Sequence, residues 1–154
     1  MRRAFIDTDH LIEEAYQLNR GKKLSCREIF EEVGEVTFRA LEYEVIQSLQ
    51  DVQRSIIAVG GGTMLLYDNI EALKKSSHLI YLFFERELLK KRVLAVDPLP
   101  AFINPNDPDA SFDKMYDERD AFYKKIGADT LDVTHLTDNE ALKQLEKRAK
   151  NGLK

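Results

Sequence analysis

Short apolar strands alternate with helical stretches from one end of this chain to the other, and that alternation admits few folds. Ala4 to Ile6 is a short apolar strand ending in Asp7-Thr8-Asp9. Ser55 to Val59 is β-branched and runs straight into Gly60-Gly61-Gly62. His78 to Phe84 is a continuous apolar run, the pattern of a strand buried on both faces. Leu131 to Leu136 supplies a further short strand. Helices fill the intervals. His10 to Leu18 reads as one. Ser25-Cys26-Arg27-Glu28 is a capping box, and the helix it starts is interrupted near Gly34 and resumes. Beyond the interruption, Phe38, Leu41, Val45 and Leu49 form a single apolar stripe. Asp68 to Lys75, with Asp68 as cap, Glu85 to Val96 and Asp109 to Ile126 also read as helices. A second capping box, Thr137 to Glu140, opens a last helix that ends near Gly152. Strands separated by helices pair in parallel through crossovers, so the class is α/β with a parallel sheet.

The stretch from Asp97 to Pro108 holds all four prolines, which exclude regular structure. It is long enough to be a lid, covering about residues 97–110. A chain of 154 residues suggests a single domain, 1–154, and 44% hydrophobic residues suffice for one core without a disulfide or metal. A net charge of -4 and the lack of a basic run argue against nucleic acid as a partner. The apolar run Leu79 to Phe84 is far too short to span a membrane. Asp7 comes too early for a signal peptide. Cys26 is the only cysteine, so no intrachain disulfide forms, and a reducing, cytoplasmic setting is expected.

Several residues carry chemistry. Asp7 and Asp9 sit two apart at the C-terminal end of a strand, the edge where ligands collect in open α/β sheets. On one strand face they could hold a metal-bound water or accept a hydroxyl proton; alternatively, one of them caps the next helix. Gly60-Gly61-Gly62 lets the backbone approach an anion closely, or simply turns. Arg39 and Glu42, three apart, share a helix face, as do Arg119 and Tyr123, four apart. Each pair is a surface contact or belongs to a fork for a carboxylate, which arginine grips with two parallel hydrogen bonds.

In this order and spacing the pieces resemble shikimate kinase. The matching text is Phe5-Ile6-Asp7-Thr8-Asp9, Ile29-Phe30-Glu31-Glu32-Val33-Gly34-Glu35, Phe38-Arg39-Ala40-Leu41-Glu42 and Ala58-Val59-Gly60-Gly61-Gly62. Leu99-Pro100-Ala101-Phe102 and Glu118-Arg119 before Tyr123 follow, so the likeness runs from Phe5 to about Val133. The resemblance implies a parallel-sheet, P-loop kinase-like (nucleoside monophosphate kinase-like) three-layer fold. It implies transfer of the ATP γ-phosphate to the shikimate 3-hydroxyl, in aromatic amino-acid biosynthesis, with ATP and magnesium as the cofactors. By the same resemblance Asp7 orients magnesium through water and Asp9 binds and polarises the reacting hydroxyl. Arg39 and Arg119 grip the shikimate carboxylate, Gly60, Gly61 and Gly62 form a backbone clamp, and Glu42 holds Arg39 in place.

The pattern departs from the family in two places. No G-x-x-x-x-G-K-[ST] occurs in these 154 residues. The fold is therefore expected to lack its first strand and helix, a unit of roughly 30 residues. Gly21-Lys22-Lys23 is no substitute, because no strand precedes it and no second glycine lies five before it. In the lid, Asp97 stands where the family places an arginine, and the nearest basic residue is Arg92. The expectation is a chain inactive as it stands. Its central strand slot would stay open, or a partner chain or self-association would fill it. A catalytic enzyme represented by a portion of its length, a degenerate shikimate-binding or regulatory module, and an inert remnant all stay open at this point.

Overall fold

The computed structural model describes residues 3–151, Asn151 without its side chain. The predicted helix end near Gly152 lies outside these residues. The chain divides into two compact units at Ser77–His78. In the first, β1 (Ala4–Asp7) leads into α1 (Thr8–Arg20), then α2 (Cys26–Ser48), β2 (Ser55–Ala58), a 3₁₀ turn (Thr63–Leu65) and α3 (Tyr67–Ser76). In the second, β3 (Ile80–Phe83), α4 (Arg86–Leu94), α5 (Pro108–Lys125), β4 (Asp129–Asp132) and α6 (Asp138–Asn151) follow in turn. Each unit carries its own parallel two-stranded ladder. β1 pairs with β2 from Ala4↔Ser55 to Asp7↔Ala58, and β3 pairs with β4 from Ile80↔Asp129 to Phe83↔Asp132. No described helix is long and apolar enough to cross a membrane.

The first unit closes on Ile12, Tyr16, Ile29, Phe38 and Val45, where α1 packs on α2. The interrupted α2 therefore points its stripes, before and after the break, at one core. Ser25 opens α2 with the expected capping box, its side chain and that of Glu28 satisfying each other's backbone N–H. The break falls at Gly34, with φ 77° and ψ 168°, a left-handed backbone that glycine enters without steric cost. Of the apolar stripe, Phe38, Val45 and Leu49 are buried, and Leu41 packs against the same cluster.

The second unit closes on Ile103, Phe112 and Tyr116, with Phe83, Leu89, Val93 and Leu99 packed around them. The proline-rich connection is thereby anchored. Ile103 is buried, its N–H reaches the Pro100 carbonyl at 2.9 Å, and Asn104 N–H reaches Ser111 Oγ at 3.0 Å. Lys90 fixes α4 to α5 through Asp109 and Asp113, at 3.0 and 2.9 Å. The Thr137–Glu140 capping box is present, with the Thr137 N–H and hydroxyl both donating to Glu140.

Three local expectations are corrected. Asp68 does not cap α3; the N-cap is Leu66, without a side-chain bond, because the 3₁₀ turn already delivers the chain into the helix. β3 is not buried on both faces, since Leu82 is 49% exposed. The strand placed at Leu131 to Leu136 runs instead from Asp129 to Asp132. Pairing with β3 sets its limits, and the Asp132 carboxylate ends it by turning back onto Thr134 N–H at 2.9 Å.

Candidate functional site

β1 delivers its last residue, Asp7, as the N-cap of α1. The Asp7 carboxylate accepts from Asp9 N–H at 3.0 Å, satisfying one of the helix's exposed amides. Asp9 therefore stands in the first turn of a helix, not on a strand face with Asp7 as the spacing suggested. Its carboxyl lies against the glycine turn: a Cβ on Gly60 would meet Asp9 Oδ1 at 3.3 Å and Thr63 Oγ1 at 3.2 Å. Partial withdrawal from water, then the negative charges of Asp7, Glu42 and Glu13, push the Asp9 carboxyl above the usual carboxylate range, with His10 opposing.

α2 brings Arg39 and Glu42 to the same turn. Glu42 is 3% exposed, and an acid that deeply buried needs partners. It has them. Arg39 Nη1 donates to Glu42 Oε2, and the Thr63 hydroxyl donates to Glu42 Oε1 at 2.9 Å. A surface ion pair is thereby excluded for Arg39 and Glu42. Glu35, one turn earlier, lies 3.9 Å from Arg39 Nε, and the guanidinium also leans on the Phe38 ring, 5.8 Å from its centre.

The glycines are needed here for space. Gly62 has φ -92°, open to any residue, yet a Cβ on it would stand 2.8 Å from both terminal nitrogens of Arg39. The turn backbone thus comes close to the arginine that faces it. Thr63 N–H closes the turn onto the Gly60 carbonyl, and Leu65 N–H onto that of Gly62, both at 3.1 Å.

Thr63 and Asn69 escape a reading of the sequence alone. Both are buried, and Asn69 Nδ2 donates to the Thr63 carbonyl at 3.0 Å. The available signal is a threonine directly after three glycines; nothing local marks Asn69. Cys26 also borders the site, its thiol donating to the Asp9 carbonyl at 3.3 Å. Burial, with the acids around it, pushes that thiol up to about 12, so it is no nucleophile.

Arg119 lies on α5 in the second unit. Its guanidinium stands over the Phe102 ring of the lid segment, 4.9 Å from the centre. Tyr123, four residues on, packs on Tyr81 at 4.8 Å between ring centres, and its hydroxyl feels the charge of Arg119. Arg92 stands over Phe84 at 4.7 Å. Gly21 ends α1 in a left-handed cap, and Lys22 pairs with Glu32 at 2.5 Å, so Gly21-Lys22-Lys23 forms a helix terminus rather than a phosphate loop.

Among the described residues no group of three or more His, Cys, Asp or Glu side chains is set to ligate a metal directly.

Asp9 should cost the fold stability at neutral pH. A carboxyl raised in the folded state favours the protonated form, so stability falls as pH climbs from the ordinary aspartate value, about 3.9, through the raised one. Asp9→Asn is expected to raise Tm at pH 7, with the gain vanishing on acidification below that window. Scanning calorimetry across pH checks this, and a lower Tm for the variant at pH 7 would contradict it.

A family model described as Shikimate kinase matches residues 1–150. A shikimate kinase of Alkaliphilus oremlandii is 33% identical over 147 residues, 92% of this chain and 80% of that protein. One from Caldanaerobacter subterraneus subsp. tengcongensis is 30% identical over 141 residues, 92% of this chain and 78% of that protein. Among solved structures, shikimate kinase from Acinetobacter baumannii in complex with shikimate superposes with TM-score 0.80 at 28% identity, covering 99% of this chain and 82% of that one.

Proposed function

The chain belongs to the shikimate kinase family, and from that premise we propose that it binds shikimate through the turn where Asp9, Arg39 and Gly60–Gly62 meet. The observation that carries the reading is the Arg39 guanidinium, pinned by Glu42 against Gly62 beside the raised carboxyl of Asp9. A guanidinium offers more N–H donors than one carboxylate can take up, so Arg39 can hold Glu42 and still present a fork to the acid group of a ligand. The family resemblance assigns Arg119 the second grip on that acid and Gly60, Gly61 and Gly62 the backbone clamp. Asp9 then receives the hydroxyl that reacts. A carboxyl held above its ordinary range takes up a hydroxyl proton more readily, which suits it to act as the base at that oxygen. Asp7 holds the magnesium-bound water. Magnesium and ATP, when bound, supply the phosphoryl group and neutralise its charge.

A second reading is favoured by a specific observation: these 154 residues contain no G-x-x-x-x-G-K-[ST]. By themselves they form a module that binds the acid without transferring phosphate, and regulates or completes a partner. Both readings require the same binding step. Titration calorimetry with shikimate is expected to show weak binding to the parent, at least about tenfold weaker in Arg119→Ala, the loss of a charge-assisted hydrogen-bond pair. No heat from the parent, or equal affinity in the variant, would count against the site.

A further inference from the structure

The geometry points to Thr63 as a positioning residue that holds the Arg39 guanidinium in place through Glu42. The inference rests on reading Arg39 as the carboxylate grip. Glu42 divides its two oxygens, Oε2 to Arg39 and Oε1 to the Thr63 hydroxyl at 2.9 Å. At 3% exposure, Glu42 has little water to replace a lost donor. Thr63 is itself held, since Asn69, fully buried on α3, binds its carbonyl at 3.0 Å and its own N–H closes onto Gly60. α3 therefore fixes the turn, the turn fixes Glu42, and Glu42 fixes the direction of Arg39. The same hydroxyl and the Asp9 carboxyl both flank Gly60, where an added Cβ would meet them at 3.2 and 3.3 Å. A single threonine thus sets the direction of the group that grips the acid, beside the turn where Asp9 stands.

Removing only the hydroxyl tests this. In Thr63→Val, Glu42 Oε1 loses its donor, and the carboxylate is expected to rotate and carry Arg39 with it. Nitrogen-15 NMR reads the Arg39 Nε–H directly, assigned by its disappearance in Arg39→Lys, so the first readout needs no ligand. That signal is expected to shift and exchange with water several-fold faster in Thr63→Val, and to return to its parent position in Thr63→Ser. Shikimate binding should weaken about tenfold in the valine variant and recover in the serine one, the scale of one hydrogen bond to a charged group. If Thr63→Val does not fold, Thr63→Ala replaces it. An unchanged Arg39 signal in a folded variant overturns the proposal. So does a serine variant as impaired as the valine one with an equal fall in Tm, which would mark a packing role. If the parent binds no shikimate while the Arg39 signal still answers to Thr63, the functional reading fails and the positioning role stands.

Discussion

Incubated with shikimate, ATP and magnesium, the 154-residue chain is expected to release ADP no faster than the uncatalysed reaction. Phosphoryl transfer relies on a backbone cradle, a lysine and often an arginine that meet the charge of the moving group. Such an arginine alone is worth about 10³ to 10⁵ in rate, or about 4 to 7 kcal/mol of barrier. By the family resemblance Asp97 takes that place in the lid, while Arg92 is engaged over Phe84 and Lys22 is paired with Glu32 behind a helix cap. A coupled assay checks the expectation, and ADP release that depends on both shikimate and the chain would refute it. Supplying a strand-loop-helix segment that carries G-x-x-x-x-G-K-[ST], fused ahead of Arg3 or added as a partner chain, is expected to bring activity up by several orders of magnitude. Activity that stays flat with the segment bound would favour the non-catalytic module.

Gly62→Ala should have the other large effect, chiefly on affinity. The new methyl would stand 2.8 Å from the Arg39 terminal nitrogens, and something has to give. The backbone turn is closed by two hydrogen bonds, whereas the guanidinium is the far end of a flexible side chain, so Arg39 moves. With φ at -92° the alanine adds no backbone strain. Shikimate affinity is expected to fall roughly ten- to hundredfold, the cost of misplacing a charged fork by about an ångström, with a fall in Tm as well, because the buried Glu42 loses part of its pairing with Arg39. A collapse in Tm with affinity intact would show that Gly62 serves packing instead.

Local chemistry makes much of this legible in advance. The boxes at Ser25–Glu28 and Thr137–Glu140 and the break at Gly34 announce themselves within four residues, because caps and left-handed turns are local events. Arg39, Glu42 and the glycines are readable as an ordered set. Their assembly is not, because the bond from Thr63 to Glu42 spans 21 positions and follows only from α2 and the turn meeting. Asn69 is the extreme case, a polar side chain in the first turn of α3 whose value lies entirely in its burial and its bond to Thr63. The limits of β4 fail for a related reason: apolar character suggests Leu131 to Leu136, while pairing with β3 selects Asp129 to Asp132. Asp9 reads as a strand residue because β1 passes into α1 with no residue between them, and no pattern in the text marks that corner.

Gly34 turns the later stretch of α2 into a lever. Arg39 lies five residues beyond the break, about 7.5 Å along the axis. A swing of about 10° at that pivot would carry its Cα about 1.3 Å sideways, and the guanidinium farther, enough to spoil a two-pronged grip. The direction of the Arg39 guanidinium is thus governed by a backbone angle five residues away. Any attempt to stiffen this protein by replacing Gly34 would trade helix continuity for the direction of its principal cation.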